Sequence, residues 1–258
     1  MTLTESAEPA TPAPEPRLGR SFWLALSPLC YLAIGAAMIV YTQVTGLDSL
    51  ERNSLGLGFI VRRTWEHVEL VFFSTLLVLA IALPLGVALT RRGLRRATPA
   101  VLAVVNLGQA TPAVGLVVLL ALVFRIGFWI AVAALVAYSL LPALRNTMVG
   151  LQQVDPHLVD AGRGIGMSAA GVLFKVELPM AVPVILSGVR TTLVLNVGTA
   201  SIAAFIGAGG LGDLITAGVS TQRNLVLVTG CVLIAVLALL LDWLGGVAQR
   251  YLSPKGLS

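Results

Sequence analysis

Charge is what this sequence has least of. Asp, Glu, Lys and Arg make up 11% of its 258 residues, where a soluble domain carries about 25%. So few charges cannot clothe a water-facing surface, and most of the chain must lie in lipid; a mean hydropathy of +0.93 agrees. Cysteine is as scarce. Cys30 and Cys231 each fall inside an apolar run and read as small buried hydrophobes rather than as a disulfide or metal ligands. The two histidines, His67 and His157, are too isolated to form a metal cluster. No nucleophile–base–acid constellation is present, which argues against catalysis by this chain. A basic start is missing too: the first twenty residues, rich in Pro, Ala, Glu and Thr, read as a disordered tail. The apolar run that follows is too long for a signal-peptide core and has no small-residue cleavage site, so it reads as a retained span.

What is present is a series of apolar stretches near the 20 residues that a helix needs to cross a bilayer. Six candidates are Phe22–Val44, Val68–Leu89, Pro99–Phe124, Phe128–Leu144, Val176–Ile206 and Leu225–Val247. Pro28, Pro84, Pro112, Pro142, Pro179 and Pro183 fall inside them, which neighbouring helices can accommodate. The third, with Thr111-Pro112 at its middle, can be two shorter helices. The expected fold class is all-α, a polytopic membrane protein with six transmembrane helices.

The formal net charge of +5 and pI of 9.8 do not point to nucleic acid, because the arginines sit in short clusters beside apolar runs, as the positive-inside rule produces. With the N-terminus inside, 11 of the 17 Lys and Arg fall on the inner side, 5 on the outer side, and Arg190 lies within a span. Both termini and the polar stretch Asp155–Lys175 are then cytoplasmic.

That stretch has a legible build. Asp155 can cap a helix that Pro156 starts, and Gly164 and Gly166 stop it after about Arg163. So short an amphipathic helix needs a partner to pack against. Ala161 and Gly162 would give it a low-profile surface, with Asp160 and Arg163 offering charges at the rim. Ser168 reads as the cap of a second helix leading through Leu173 and Val176 into the fifth span.

The run Asp160-Ala161-Gly162, then Gly166, then Val176-Glu177-Leu178-Pro179 resembles the cytoplasmic coupling loop of ABC-importer permeases. From about Glu66 to Val247 the chain is similar to permease subunits of type I ABC importers for osmoprotectants (glycine betaine, carnitine, choline). The stretches that carry this are Leu83-Pro84-Leu85-Gly86, Tyr138–Pro142 with Arg145-Asn146-Thr147, Gly188-Val189-Arg190-Thr191, Phe174–Pro179 and Ile206–Leu214. The last is shared with methionine permeases, which makes a methionine-type permease the alternative. Asp160 stands where the family pattern has Glu, and Gly162 where it has a second Ala. Asp keeps the charge with a shorter reach.

The resemblance implies the type I importer permease fold in residues 67–250, with the coupling loop at 155–175. Asp160, Ala161, Gly162, Gly166, Leu178 and Pro179 would then form the ATPase-coupling element. Residues 1–20 would be a cytoplasmic tail, 21–66 an extra transmembrane helix with its outer loop, and 251–258 a second cytoplasmic tail. It also implies a second permease subunit (identical or paralogous), ABC ATPase subunits and an extracytoplasmic substrate-binding protein, in a bacterial plasma (inner) membrane. ATP and magnesium would sit on the ATPase; no cofactor or metal is expected on this chain, which shows no Walker loop.

Gly207-Ala208-Gly209-Gly210-Leu211-Gly212 fits the dinucleotide fingerprint literally, but it follows a membrane span rather than a strand and lacks the acidic residue further on. It reads as an outer loop in which Gly207, Gly209, Gly210 and Gly212 allow close backbone packing, a candidate gate or docking site. Polar groups inside spans are costly. Asn106, Gln109 and Thr111 in the third span, and Asn196 and Thr199 in the fifth, are therefore candidates for a translocation path, with helix–helix hydrogen bonding the competing reading. Trp129 and Tyr138 offer faces to a quaternary ammonium. A stand-alone secondary transporter, the reading from a different class, would show inverted repeats, and none is visible. Arg190 and Glu177 are not expected to pair.

With both ends inside, a cysteine placed at Thr98 is expected to be shielded from an impermeant thiol reagent applied outside intact cells, and one at Ser54 labelled. Labelling at Thr98 would reverse the topology.

Overall fold

The computed structural model describes residues 18–252, with side chains described from residue 26. The disordered tail expected at 1–20 lies outside the described residues except for its last three, which already belong to a helix; of the expected tail at 251–258, Tyr251 and Leu252 are helical and the rest lies outside. All regular structure among the described residues is helical. In chain order the α-helices are α1 (Leu18–Val44), α2 (Ser49–Leu55), α3 (Leu57–Thr90), α4 (Thr98–Ala110), α5 (Ala113–Val123), α6 (Phe128–Gln152), α7 (Pro156–Gly164), α8 (Ala169–Val172), α9 (Leu178–Ala200), α10 (Gly212–Ser220) and α11 (Asn224–Leu252). A π-helical turn, Leu173–Glu177, joins α8 to α9, and a 3-10 helix, Ser201–Ile206, follows α9.

Five helical stretches are long and apolar enough to cross a membrane, and α4 with α5 supplies a sixth if the bent pair counts as one span. The pair bends by 99° at Thr111-Pro112, where proline removes a backbone donor and holds its predecessor extended; Thr111 has ψ 137°. The break foreseen in the third span is therefore real.

Helices α3, α6 and α9 form the centre. One apolar cluster joins Leu70, Val132, Leu135, Val197, Leu211, Leu214 and Val226 across α3, α6, α9, α10 and α11, and a second joins Val78, Ala82, Leu89, Leu144 and Met148 between α3 and α6. Close helix approach rests on glycine. At Gly86 a Cβ would stand 2.7 Å from Thr147 of α6, and at Gly188 it would meet Asn146 and the Pro142 carbonyl. The extra N-terminal helix packs on α11, with Gly35 against Val236. The connection that follows it is tied down as well. Asp48 caps α2 by accepting from the Glu51 amide (2.8 Å) and pairs with Arg223 (2.7 Å), while Gln43 donates to the Leu55 carbonyl (3.1 Å).

Cys30 and Cys231 are free but exposed on the bundle surface, so the expectation that they are buried is corrected. An apolar run says that a residue avoids water; in a membrane protein that is satisfied equally by lipid and by the core.

Two glycines on α9 separate packing from mere helix propensity. Gly188→Ala forces α6 and α9 apart and is expected to cost about 1–3 kcal/mol. Gly198→Ala, with nothing within 4 Å, is expected to be neutral or slightly stabilising, since alanine favours helix. Thermal unfolding of the purified variants in detergent decides; equal shifts for both would refute the close-packed α6–α9 contact.

Candidate coupling and gate sites

The loop after α6 folds as its residues dictate. Asp155 Oδ1 accepts from the His157 amide (2.9 Å), Pro156 opens α7, and the chain leaves the helix through Gly166, whose φ of +88° lies in the left-handed region that favours glycine. Ser168 Oγ then accepts from the Gly171 amide (3.1 Å) and starts α8. Asp160 and Arg163 are exposed and stand 3.9 Å apart. Ala161 is exposed, whereas Gly162 is buried, facing Val172, Met167 and Val176 of its own loop. Gly162 thus fastens α7 to the segment behind it and presents no surface outward, a correction to its expected place beside Ala161. The outward apolar surface comes from residues that the sequence reading did not place in the coupling element: Leu158, Ile165 and Phe174 are 43%, 77% and 67% exposed. In a loop expected in water, three such exposed side chains form an apolar face with no partner among the described residues.

Leu178 and Pro179 open α9 directly after the π turn. Glu177, the last residue of that turn, is 7% exposed and receives both terminal nitrogens of Arg91, Nη1 at 3.1 Å from Oε1 and Nη2 against Oε2. The hydrogen bond from Arg91 to Glu177 raises the Arg91 pKa further above its already high value. Arg190 pairs instead with Asp242 on α11, in a two-pronged contact. The expectation that Arg190 and Glu177 do not pair holds, and each has a different partner.

At the opposite end of α9 lies the glycine loop. Gly207, Gly209 and Gly210 have φ of +65°, +83° and +89°, and a Cβ at Gly212 would run into the Ser201 backbone. All four glycines are therefore required by geometry. Two neighbouring side chains on α3 hold the loop. Glu66 Oε2 accepts from the Gly210 amide (3.1 Å), and buried His67 accepts from the Leu211 amide at Nδ1 (3.3 Å) while its Nε2 lies 3.0 Å from the Val197 carbonyl. That pattern fixes the neutral tautomer with the proton on Nε2. Arg63 bridges Glu66 (2.6 Å) and Asp213 (2.7 Å). Burial pushes the Asp213 carboxyl above its ordinary range, and Arg63 draws it back. Neither Glu66 nor His67 was singled out from sequence, since their partners lie 144 residues away. Beside this network Phe59, Arg63, Phe205, Asp213 and Thr216 line an open cavity of about 580 Å³.

The polar residues within the spans separate into two groups. Asn196 is fully buried and donates to Thr75 (2.9 Å), and Thr199 turns back to the Leu195 carbonyl (2.7 Å), so both serve the helix interior. Asn106 is exposed and Gln109 and Thr111 are partly exposed, on the helix that ends at the α4–α5 bend. Trp129 is 62% exposed and stacks edge-on with Phe73 and Phe128; Tyr138 is half-buried. Among the described residues no group of His, Cys, Asp and Glu could hold a metal ion.

Residues 82–255 match the family described as binding-protein-dependent transport system inner membrane component. The chain belongs to that family. It is 42% identical over 216 residues to the osmoprotectant import permease protein of Salmonella typhimurium, covering 82% of this chain and all of that one. It is 36% identical over 200 residues to the choline transport system permease protein of Bacillus subtilis, covering 78% and 91%. Among solved structures, an inward-facing methionine ABC transporter chain superposes with a TM-score of 0.67 at 27% identity, covering 77% of this chain and 98% of that one. The type I importer permease fold is therefore this chain's fold, and the family makes it a membrane-embedded permease subunit. Helix α1 lies outside the family match, as do the loop anchors Glu66 and His67.

Proposed function

We propose that this chain is the permease subunit of an ABC importer that brings a compact quaternary-ammonium osmoprotectant (glycine betaine, carnitine or choline) into the cytoplasm. The observation that carries the substrate class is the 42% identity across the full length of an osmoprotectant import permease, against 27% to the methionine transporter chain that shares the fold. ATP hydrolysis belongs to partner ATPase subunits, with ATP and magnesium bound there. The exposed trio Leu158, Ile165 and Phe174 beside Asp160 and Ala161 gives such an ATPase a surface to grip. A second permease subunit and a substrate-binding protein complete the assembly. The protein sits in the bacterial inner membrane with both termini and the 155–175 loop in the cytoplasm, which the distribution of arginine supports.

Selectivity in this reading rests with the binding protein, so the permease needs only a weakly polar path. Asn106, Gln109 and Thr111 supply it at the α4–α5 bend. Asn196 and Thr199 support it from behind by holding α9 in place. Gly207, Gly209, Gly210 and Gly212 form the loop at its outer mouth.

Uptake of labelled glycine betaine by proteoliposomes carrying the whole complex is expected to be competed by unlabelled glycine betaine and not by methionine. Ile165→Asp puts a charge where the ATPase must bury an apolar group, and Gly166→Pro imposes a negative φ on a residue at +88°. Each is expected to lower substrate-stimulated ATP hydrolysis by about tenfold, the scale of losing one interface anchor. Competition by methionine alone would move the chain to the methionine branch, and normal hydrolysis in both variants would remove the loop from coupling.

A further inference from the structure

We infer that α3 is a relay between the coupling loop and the glycine loop, attached to the first through Arg91 and to the second through Glu66 and His67. The inference rests on the reading of loop 155–175 as the ATPase contact. Helix α9 is the direct covalent route between the two loops, yet both its ends depart from α geometry. The π turn Leu173–Glu177 precedes it and the 3-10 helix Ser201–Ile206 follows it. Such stretches mark places where a helix bends, so a push delivered at α7 would be absorbed at either end.

Helix α3 bypasses both. It runs as one helix from Leu57 to Thr90, with Pro84 taken up inside it, and the 25 residue steps from Glu66 to Arg91 span about 37 Å at the helical rise. At one end the two-pronged Arg91–Glu177 contact grips the junction between the π turn and α9. α7 itself packs on α8 and on that π turn, so the ATPase-facing helix leads straight to this grip. At the other end Glu66 and His67 hold the Gly210 and Leu211 amides, beyond the 3-10 stretch. Near the far end of α9 the Asn196–Thr75 hydrogen bond, fully buried at Asn196, and the His67–Val197 contact fasten it to α3. Arg63 extends the far grip to Asp213 at the start of α10. The contacts of Asn196 and His67 are buried in an apolar bundle with no water to exchange with, so there the two helices move together or the contacts break. The coupling loop and the glycine loop are thereby two ends of one α3–α9 unit, and Arg91, Glu66 and His67 are positioning residues for transport.

The test uses the complete transporter in proteoliposomes, with Cys30→Ala and Cys231→Ala in the permease and a reporter cysteine at Ala208 read by an impermeant maleimide. Without further change, the labelling rate at position 208 is expected to depend on nucleotide. Arg91→Glu is expected to abolish that dependence and to raise the ATP hydrolysed per solute imported by about tenfold, the scale of losing one charge-pair contact. The double swap Arg91→Glu with Glu177→Arg is expected to restore the ratio to within about threefold of the parent. Hydrolysis and uptake falling in proportion in Arg91→Glu, or a swap that assembles without restoring the ratio, would overturn the relay. A second measurement does not depend on folding of the charge variants: in Thr75→Cys with Asn196→Cys, closing the disulfide should leave uptake at the level of the same variant in its reduced form, because the two helices move as one, and a loss of uptake on oxidation alone would overturn it. If Gly166→Pro blocks hydrolysis while Arg91→Glu transports normally, the relay alone fails; if Gly166→Pro is indifferent, the coupling-loop reading fails first.

Discussion

A polar group inside an apolar helix bundle has no water to turn to, and this constraint organises the rest of the structure. The long helices satisfy their own backbones, but the glycine loop and the end of α9 leave amides and a carbonyl that something else must meet. Helix α3 supplies that something. Glu66 and His67 meet the amides of Gly210 and Leu211, His67 also meets the Val197 carbonyl, and Arg91 neutralises Glu177 where the chain enters α9. Irregular backbone is tolerated in this fold where a side chain of a neighbouring helix is positioned to satisfy it.

The same constraint gives the glycines two separate duties. Gly86, Gly188 and Gly230 let helices approach until backbone nearly touches side chain, which replaces the hydrophobic drive that lipid cannot supply. Gly207, Gly209 and Gly210 take positive φ in the turn that brings the Gly210 and Leu211 amides to the α3 anchors. Gly86 and Gly188 set the close approach within the α3–α6–α9 centre and Gly230 that of α10 and α11, while the second group forms the loop that the α3 anchors hold.

How far the sequence discloses this depends on the range of the physics. Span number, the break at Thr111-Pro112, the Asp155 and Ser168 caps and the turn at Gly166 are local, set within a few residues, and all are legible in advance. The Arg91–Glu177, Arg190–Asp242 and Glu66–Gly210 contacts join residues 86, 52 and 144 positions apart, and no periodicity encodes them. Burial misled in one direction. Apolar runs placed Cys30 and Cys231 inside and left Leu158 and Ile165 unremarked, because hydropathy registers avoidance of water without saying whether lipid, core or a partner protein takes its place. Gly162 shows the converse: a motif position assigned to a partner surface is occupied by the loop's own packing against Val172 and Val176.

The central claim is that the face of loop 155–175 bearing Ile165 meets an ATPase in the cytoplasm. A cysteine at Ile165, in the background lacking Cys30 and Cys231, can be cross-linked with a short bis-maleimide in membranes containing the complete transporter. The account predicts one cross-linked product with the ATPase subunit, whose yield changes with nucleotide, and no labelling by an impermeant reagent outside the cell. Labelling from outside, or cross-linking that never captures the ATPase in an assembled complex, would contradict it.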